Sequence, residues 1–337
     1  MQKQGPKIVA ELSGNHGGSI DRAMYLMSLA HECGADLIKI QTYDEDSLTI
    51  DSKNSEFLIK EGLWKGYCLY DLYKEAKTPR TWMKTLFDYA KDNSIALFSS
   101  PFSFKDVDTL ESVNCPIYKI ASFEANYLDL IAYCAQTKKP LVISTGLASL
   151  SDVDRAYECA IKHGCSDITL LHCESKYPAD PSLFNLNTIV FFKERYKCKV
   201  GLSNHSLGDS LDIAATALGA DMIEKHFTDD RSKGGVDSAF SMDVDDLKTL
   251  VKDVTNVALS LGQKILKDPD INDPSFKFRR SLYLTKDLKK GDILSKDYVS
   301  TIRPGFGLEP YKLDEILGKK AKDDIKAPIA INEKMFI

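Results

Sequence analysis

The sequence predicts an α/β protein, a (β/α)8 barrel followed by a small β-rich domain, and three observations predict it. Short apolar runs rich in β-branched residues recur eight times, segments of helical periodicity separate them, and the pattern stops after Gly262. The runs are 7–12, 37–41, 95–99, 117–121, 141–144, 168–172, 200–203 and 222–226. Between them, stretches such as 21–33, 81–92 and 152–163 return apolar residues every three or four positions and often end near Gly or Asn, as crossover helices do. Eight such repeats match closure into a barrel, which takes ~250 residues. A doubly wound open sheet is the alternative.

The barrel is set at 1–262. Residues 44–79 form an excursion after the second run, with Trp64 and several tyrosines. It is too long for a βα loop of about 2–6 residues and is expected to line or cover the mouth. Residues 263–280 read as a linker, charged and Pro/Asp-punctuated from Lys264 to Asp273. Residues 281–337 read as the small domain, whose thin core would gain from docking on something larger.

A formal net charge of −5, with both signs spread along the chain, leaves no basic stripe for a nucleic-acid backbone, so no nucleic-acid partner is expected. No apolar run approaches the ~20 residues of a membrane span, and the first residues lack a secretory pattern. A cytoplasmic, membrane-free protein is the expectation. Eight cysteines (Cys33, Cys68, Cys115, Cys134, Cys159, Cys165, Cys173, Cys198) contain no CxxC pair and read as reduced, small core hydrophobes.

In such a barrel chemistry gathers at the C-terminal ends of the strands, because the βα loops build the mouth there. Those ends are polar here. Run one ends in Glu11 and Ser13-Gly14-Asn15-His16, run two holds Lys39 and Gln41, and run three ends in Ser99-Ser100-Pro101. Run four gives Lys119, Ser122 and Glu124, and run five Ser144-Thr145-Gly146. Run six gives His172, Ser175 and Tyr177, run seven Ser203, Asn204 and His205, and run eight Glu224 and His226. A packed interior should be Val, Ile and Leu, so buried lysines and histidines require partners or a purpose.

His205 and His226 end adjacent strands and could share one divalent cation, leaving positions for water and substrate oxygens. Satisfied core histidines are the alternative. His172, with its apolar lead-in, reads first as packed or hydrogen-bonded and second as a further ligand. His31 and His163 fall on predicted helices facing solvent, and His16 sits in a Gly-rich loop at the mouth with its role open. Lys39 and Lys119 could aim ammonium groups at a phosphate or carboxylate, with Ser100, Ser122, Ser144 and Ser203 adding hydroxyl donors. Two other readings remain: a buried pair, Lys39 with Glu11 or Lys119 with Glu124, and a Schiff-base lysine as in aldolases.

The motifs AELSGNHGGS, LIKIQTY, FSSPF, YKIASFE, STGLASL, LHCESKYP, GLSNHSLG and IEKHFTDDRSKGGVDSAFS, followed by RRSLYLTKDLKKGDIL and IRPGFGL, closely resemble the sialic acid synthase family over nearly the whole chain. The resemblance implies a (β/α)8 barrel followed by an antifreeze-like (SAF) domain that crosses to the other subunit of a homodimer. It implies that His205 and His226 hold a divalent ion, usually manganese, with magnesium or cobalt as substitutes. It makes Lys39, Ser100, Lys119, Ser122, Ser144, Ser175 and Ser203 the binding site for phosphoenolpyruvate. It places Glu11, Glu124, Tyr177 and Asp237 around an N-acylated amino sugar, with Arg303 reaching in from the partner's small domain towards an N-acyl group. The implied reaction joins C3 of phosphoenolpyruvate to a sugar aldehyde, with water adding at C2 and phosphate leaving by C–O cleavage. The resemblance makes Glu11 and Glu124 the candidates for handling water and protons, with acid and base unassigned between them, and places His226 in the same catalytic set.

AELSGNH, KIASFEAN and GGVDSAFS look most like the pseudaminic acid synthase branch, whose sugar is a 2,4-diacetamido-2,4,6-trideoxy hexose. The N-acetylneuraminate and legionaminate branches are the alternatives, with an inactive carbohydrate-binding barrel behind them. Two positions depart from the common pattern: Asn204 stands where an aspartate usually precedes the first metal histidine, and Ser175 replaces an asparagine.

Overall fold

The structure, a computed structural model, describes residues 5–263 and 265–337. Met1–Gln4 and Lys264, which opens the charged part of the expected linker, lie outside the described residues. The chain divides into two compact units, Met1–Gly262 and Gln263–Ile337.

In the first unit eight parallel strands close into a barrel in sequence order. They are β1 (Lys7–Glu11), β2 (Leu37–Thr42), β3 (Leu97–Pro101), β4 (Tyr118–Ile120), β5 (Leu141–Ser144), β6 (Ile168–Cys173), β7 (Lys199–Ser203) and β8 (Met222–His226). Closure comes from the β1–β8 register, in which Lys7 faces Met222 and Glu11 faces His226. Gly201 permits the last approach, since a Cβ there would lie 2.1 Å from the Met222 carbonyl oxygen.

The helices are α1 (Ile20–Glu32), α2 (Glu45–Leu48), α3 (Leu69–Ala76), α4 (Met83–Asp92), α5 (Phe104–Ser112), α6 (Leu128–Gln136), α7 (Leu150–Lys162), α8 (Asn187–Tyr196), α9 (Ser210–Ala217) and α10 (Val244–Ser260). Their starts are written locally. Ser19 accepts from the Arg22 amide, Ser103 from Asp106, and Ser149 with Asp152 forms a capping box. Ile8, Ile38, Ile40, Leu170, Leu202 and Ile223 are buried between strands and helices, each contributing roughly 1.5–3 kcal/mol by leaving water.

Three expectations are corrected here. The third strand runs two residues later than 95–99, because the Ile95 amide closes the turn after α4 on Ala90 O (2.8 Å) while Ser100 and Pro101 stay paired with Gln41 and Thr42. The fourth is only three residues, since Ser122–Glu124 folds into a 3-10 turn. His163 is a half-buried cap past α7 with Nδ1 on Cys159 O (2.9 Å), whereas His31 is solvent-exposed as expected. Six of the eight free cysteines are buried and two are half-buried. Among the described residues no helix is long and apolar enough to cross a membrane.

The second unit holds a three-stranded antiparallel sheet, β9 (Ser281–Leu284) flanked by β10 (Val299–Ile302) and β11 (Ile329–Ala330), with short 3-10 turns and, among the described residues, one short α-helix, α11 (Leu313–Ile316). Leu282, Leu284, Leu288, Leu294, Ile316, Ile331 and Phe336 form its small core.

Candidate active site

Side chains alternate along a strand, so the residues two apart that face the barrel axis meet as layers. Lys39 on β2, Lys119 on β4, Ser144 on β5, Cys173 on β6, Ser203 on β7, and Glu224 with His226 on β8 line one cavity of about 540 Å³ at the C-terminal end of the strands. Its floor is an ion network. Lys39 Nζ lies 2.6 Å from Glu11 Oε2 and 3.6 Å from Glu224 Oε1, and Lys119 Nζ lies 3.3 Å from the same Glu224 oxygen. The Ser203 hydroxyl donates to Glu224 Oε1 (3.3 Å), and Gln41 Nε2 donates to Glu11 Oε1 (2.8 Å). These ionic groups are almost entirely buried.

The two histidines stand with ring centroids 5.4 Å apart. His205 Nδ1 is 2.9 Å from the Glu174 carbonyl oxygen, which can only accept, so Nδ1 carries the proton and Nε2 keeps its lone pair. His226 Nδ1 is buried without a hydrogen-bond partner, 4.0 Å from Asp237 Oδ2. Tyr177 packs on His205 (centroids 4.3 Å) and Phe240 on His226 (4.9 Å). Asp237 is held by the Ser13 hydroxyl. Residues 44–79 supply the opposite wall through Leu48, Ile59, Trp64, Leu69, Leu72, Tyr73 and Ala76. Trp64 Nε1 is anchored on Val236 O at 2.7 Å.

Burial and the lysine–carboxylate contacts set the protonation pattern. Burial lowers His205 to about 4, against the raising effect of the Glu174 carbonyl. Burial, His205 and both lysines push His226 well below its usual range. Both imidazoles are therefore neutral at neutral pH, the form that coordinates a metal ion. Burial opposes the charge on Lys39, but Glu11 and Glu224 outweigh it and raise the lysine, whereas Lys119 is lowered by burial and by Lys39 despite Glu224. Burial pushes Glu124 up to about 7, against Lys119, and its Oε2 is buried with no hydrogen-bond partner.

Among the described residues no three His, Cys, Asp or Glu side chains form a metal cluster. A divalent ion held by His205 and His226 would take its other ligands from water or substrate, an open catalytic arrangement. The two neutral rings and the orphaned Nδ1 of His226 fit that arrangement.

A NeuB family model matches residues 26–266, and an SAF domain model matches residues 279–328. The chain belongs to the NeuB family. A pseudaminic acid synthase of Campylobacter jejuni strain 81-176 is 43% identical over 332 residues, covering 98% of this chain and 96% of the relative. An N,N'-diacetyllegionaminic acid synthase of Campylobacter jejuni is 32% identical over 330 residues, covering 97% and 98%. The solved structure of the N-acetylneuraminic acid synthetase of Leptospira borgpetersenii, in complex with citrate, gives a TM-score of 0.71 at 28% identity, covering 80% of this chain and 90% of that one.

Of the residues that the motifs nominated in this NeuB family chain, Lys39, Lys119, Ser122, Glu124, Ser144, Tyr177, Ser203, His205, His226 and Asp237 line the cavity. Three more lie just behind it: Glu11 under Lys39, Ser100 with its hydroxyl 3.4 Å from Lys39 Nζ, and Ser175 bonded to Ser122 (2.7 Å). A Cβ on Gly146 would sit 1.9 Å from the Ser175 hydroxyl, so glycine lets the turn after β5 pass beneath that pair. Arg303 is exposed in the second unit, just past β10. His172 bonds the Phe184 carbonyl, as a hydrogen-bonded histidine rather than a ligand, and buried His16 lies 3.1 Å from the Thr78 hydroxyl.

The proposed Lys119–Glu124 pair is corrected, since Lys119 pairs with Glu224. Glu224 is the residue that sequence reasoning underused. It stands two positions before His226 and therefore on the same inward face, a signal that was available from strand period alone. Ser13 and Gln41 were named at the strand ends but given no role, and both line the cavity.

Proposed function

We propose that this chain is a pseudaminic acid synthase, condensing phosphoenolpyruvate with 2,4-diacetamido-2,4,6-trideoxy-L-altrose to give the nonulosonic acid and phosphate. The observation that carries the chemistry is one cavity that holds two buried lysines on its floor and two neutral, adjacent histidines beside them. The 43% identity to a pseudaminic acid synthase, against 32% to a legionaminic acid synthase, favours the branch.

In this reading Lys39 and Lys119 bind the phosphate and carboxylate of phosphoenolpyruvate, with hydroxyls from Ser100, Ser122, Ser144, Ser175 and Ser203 around them. Glu11 and Glu224 hold Lys39 protonated in a site that would otherwise strip its charge. His205 and His226 would hold a divalent ion (Mn2+ first, Mg2+ or Co2+ as alternatives), which when bound polarises the open-chain aldehyde. C3 of phosphoenolpyruvate attacks that aldehyde, water adds at C2, and phosphate leaves with C–O cleavage. Glu124, poised at about 7, can hold or release a proton at working pH, with Glu11 the second candidate. Tyr177 and Asp237 face the sugar, and the apolar wall of residues 44–79 suits its acyl and deoxy groups.

We also propose a cytoplasmic homodimer in which the small domain crosses to the other subunit and presents Arg303 to an N-acyl group. Among the described residues no ion pair engages that guanidinium. The lowered Lys119 favours one second reading, a Schiff-base aldolase, which borohydride trapping of substrate would reveal. The deciding assay measures phosphate released from phosphoenolpyruvate and Mn2+ with N-acetylmannosamine and with the altro and manno diacetamido-trideoxy hexoses. Release with the altro sugar alone is expected. Release only with another sugar moves the substrate, and no release from folded, metal-loaded protein overturns the proposal.

A further inference from the structure

One set of buried charges faces away from the cavity. β8 alternates, so between inward Glu224 and inward His226 the side chain of Lys225 leaves the barrel and runs beneath the loop that follows β7. Its ammonium donates to the carbonyls of Ser206 (2.9 Å) and Gly208 (2.8 Å) and lies 3.3 Å from Asp212 Oδ2. Asp212, fully buried on the first turn of α9, accepts from Asn204 Nδ2 at 2.9 Å. Asn204 Oδ1 accepts in turn from both the amide and the hydroxyl of Ser206, each at 2.8 Å. Because a backbone amide can only donate, it fixes which end of the Asn204 side chain is oxygen.

The bonded residues 204, 206 and 208 bracket His205 in the chain, and its ring is tied separately to Glu174 O. Burying a lysine and an aspartate costs more desolvation than packing two apolar side chains in the same space. None of Lys225, Asp212 and Asn204 lines the cavity that holds the two histidines, so their contribution is to what they hold. Asn204 is specifically suited to the place, since its amide offers Asp212 a donor and Ser206 an acceptor, and an aspartate would oppose a second carboxylate across 2.9 Å.

We infer that Lys225, Asp212 and Asn204 are positioning residues that lock the His205 loop, setting the imidazole's place relative to His226. The inference rests on the proposed metal-assisted reaction for its consequence, though the lock itself is a property of the loop.

The test compares full-length protein with Lys225→Met, Asn204→Asp and the double change Asn204→Asp/Asp212→Asn, which exchanges amide and carboxylate. Two readouts are taken: amide hydrogen exchange of residues 204–208 in metal-free protein, and Mn2+ affinity by chelator competition. Faster loop exchange and roughly 10–100-fold weaker Mn2+ binding are expected in both single variants, as for other groups that orient metal ligands. Phosphoenolpyruvate affinity should stay within about twofold, since its lysines are untouched, and the double change should recover part of the loss. Wild-type exchange in a folded Asn204→Asp protein overturns the lock, even should Lys225→Met fail to fold. A wild-type protein that binds no Mn2+ instead refutes the metal reading, while loop exchange still judges the lock.

Discussion

The floor and the wall of the cavity hold their residues by different means. Lys39, Lys119 and Glu224 stand on strands hydrogen-bonded to a neighbour on each side, and Glu224 Oε1 is shared by both lysines and Ser203. Leu48, Ile59, Trp64, Leu69 and Leu72 sit on residues 44–79, which contain only two short α-helices and a 3-10 turn and are tied across the mouth by Trp64 on Val236 O. The floor is directional and charged, so a shift of one group changes the protonation of the next. The wall is apolar and non-directional, so it can change shape without altering the charges below. In the proposed reading, chemistry belongs to the strands and the turns at their C-terminal ends, and selection of the acceptor can vary on the excursion.

Breaking the floor should produce the largest effects. His226→Ala removes one of two candidate metal ligands, and turnover is expected to fall by about 10³-fold or more, in line with the loss of a metal or principal electrostatic group. Steady-state phosphate release with excess Mn2+ checks this, and near wild-type turnover would remove the histidine pair from the mechanism. A drop of roughly 10²- to 10³-fold is expected for Glu124→Gln, the range of a general acid or base. The wild-type rate should show a limb near pH 7, where burial has placed Glu124, and the variant should lack it. A rate that rises through that limb assigns Glu124 as base, and one that falls assigns it as acid.

Stability follows the same group with a definite sign. The Glu124 carboxyl is raised in the folded protein to about 7 from 4.5, so its neutral form is the one that folding favours. That contribution is complete below about pH 4.5 and is lost as pH rises through 7. Metal-free Glu124→Gln should therefore be more stable than wild type at pH 8, by up to about 3 kcal/mol at about 1.4 kcal/mol per pH unit. Urea unfolding at pH 5 and pH 8 measures the difference, and equal slopes with pH would show that the carboxyl is not buried as described.

Lys119→Met tests the floor more gently, because Lys39 remains. A loss of about 10²-fold in kcat/KM for phosphoenolpyruvate is expected, equal to about 3 kcal/mol and within the range for truncating a buried charged partner. The loss should lie mainly in KM for phosphoenolpyruvate, and unchanged KM would place the anion elsewhere.

The two regions also differed in how far the sequence revealed them. The barrel was legible because eight β-rich runs recur with helical segments between them, and the floor because polar residues interrupt those runs at their ends. Glu224 was underused because its partners Lys39 and Lys119 stand on β2 and β4, distant in the sequence from β8. The wall was legible only as excess length after the second strand. Its contacts are non-local, as Trp64 with Val236 and Trp64 with Tyr177 show, and no period in the sequence encodes them. The second unit was readable as short strands and turns, but Arg303 carries no local signal beyond its motif.

The smallest expected effect lies on the wall and separates it most clearly from the floor. Trp64 lines the cavity, packs at 5.4 Å between ring centroids on Tyr177, and anchors the excursion to Val236. Trp64→Phe keeps most of the apolar surface and loses the indole donor, whereas Trp64→Ala removes both. If the wall recognises acyl and deoxy groups, Trp64→Ala should raise KM for the sugar by about tenfold, near 1.4 kcal/mol, and leave KM for phosphoenolpyruvate unchanged. Trp64→Phe should recover most of that loss, because burial rather than the hydrogen bond supplies the contact. Equal rises in both KM values would mean that the excursion supports the floor as well, and the division between chemistry on the strands and selection on the wall would have to be abandoned.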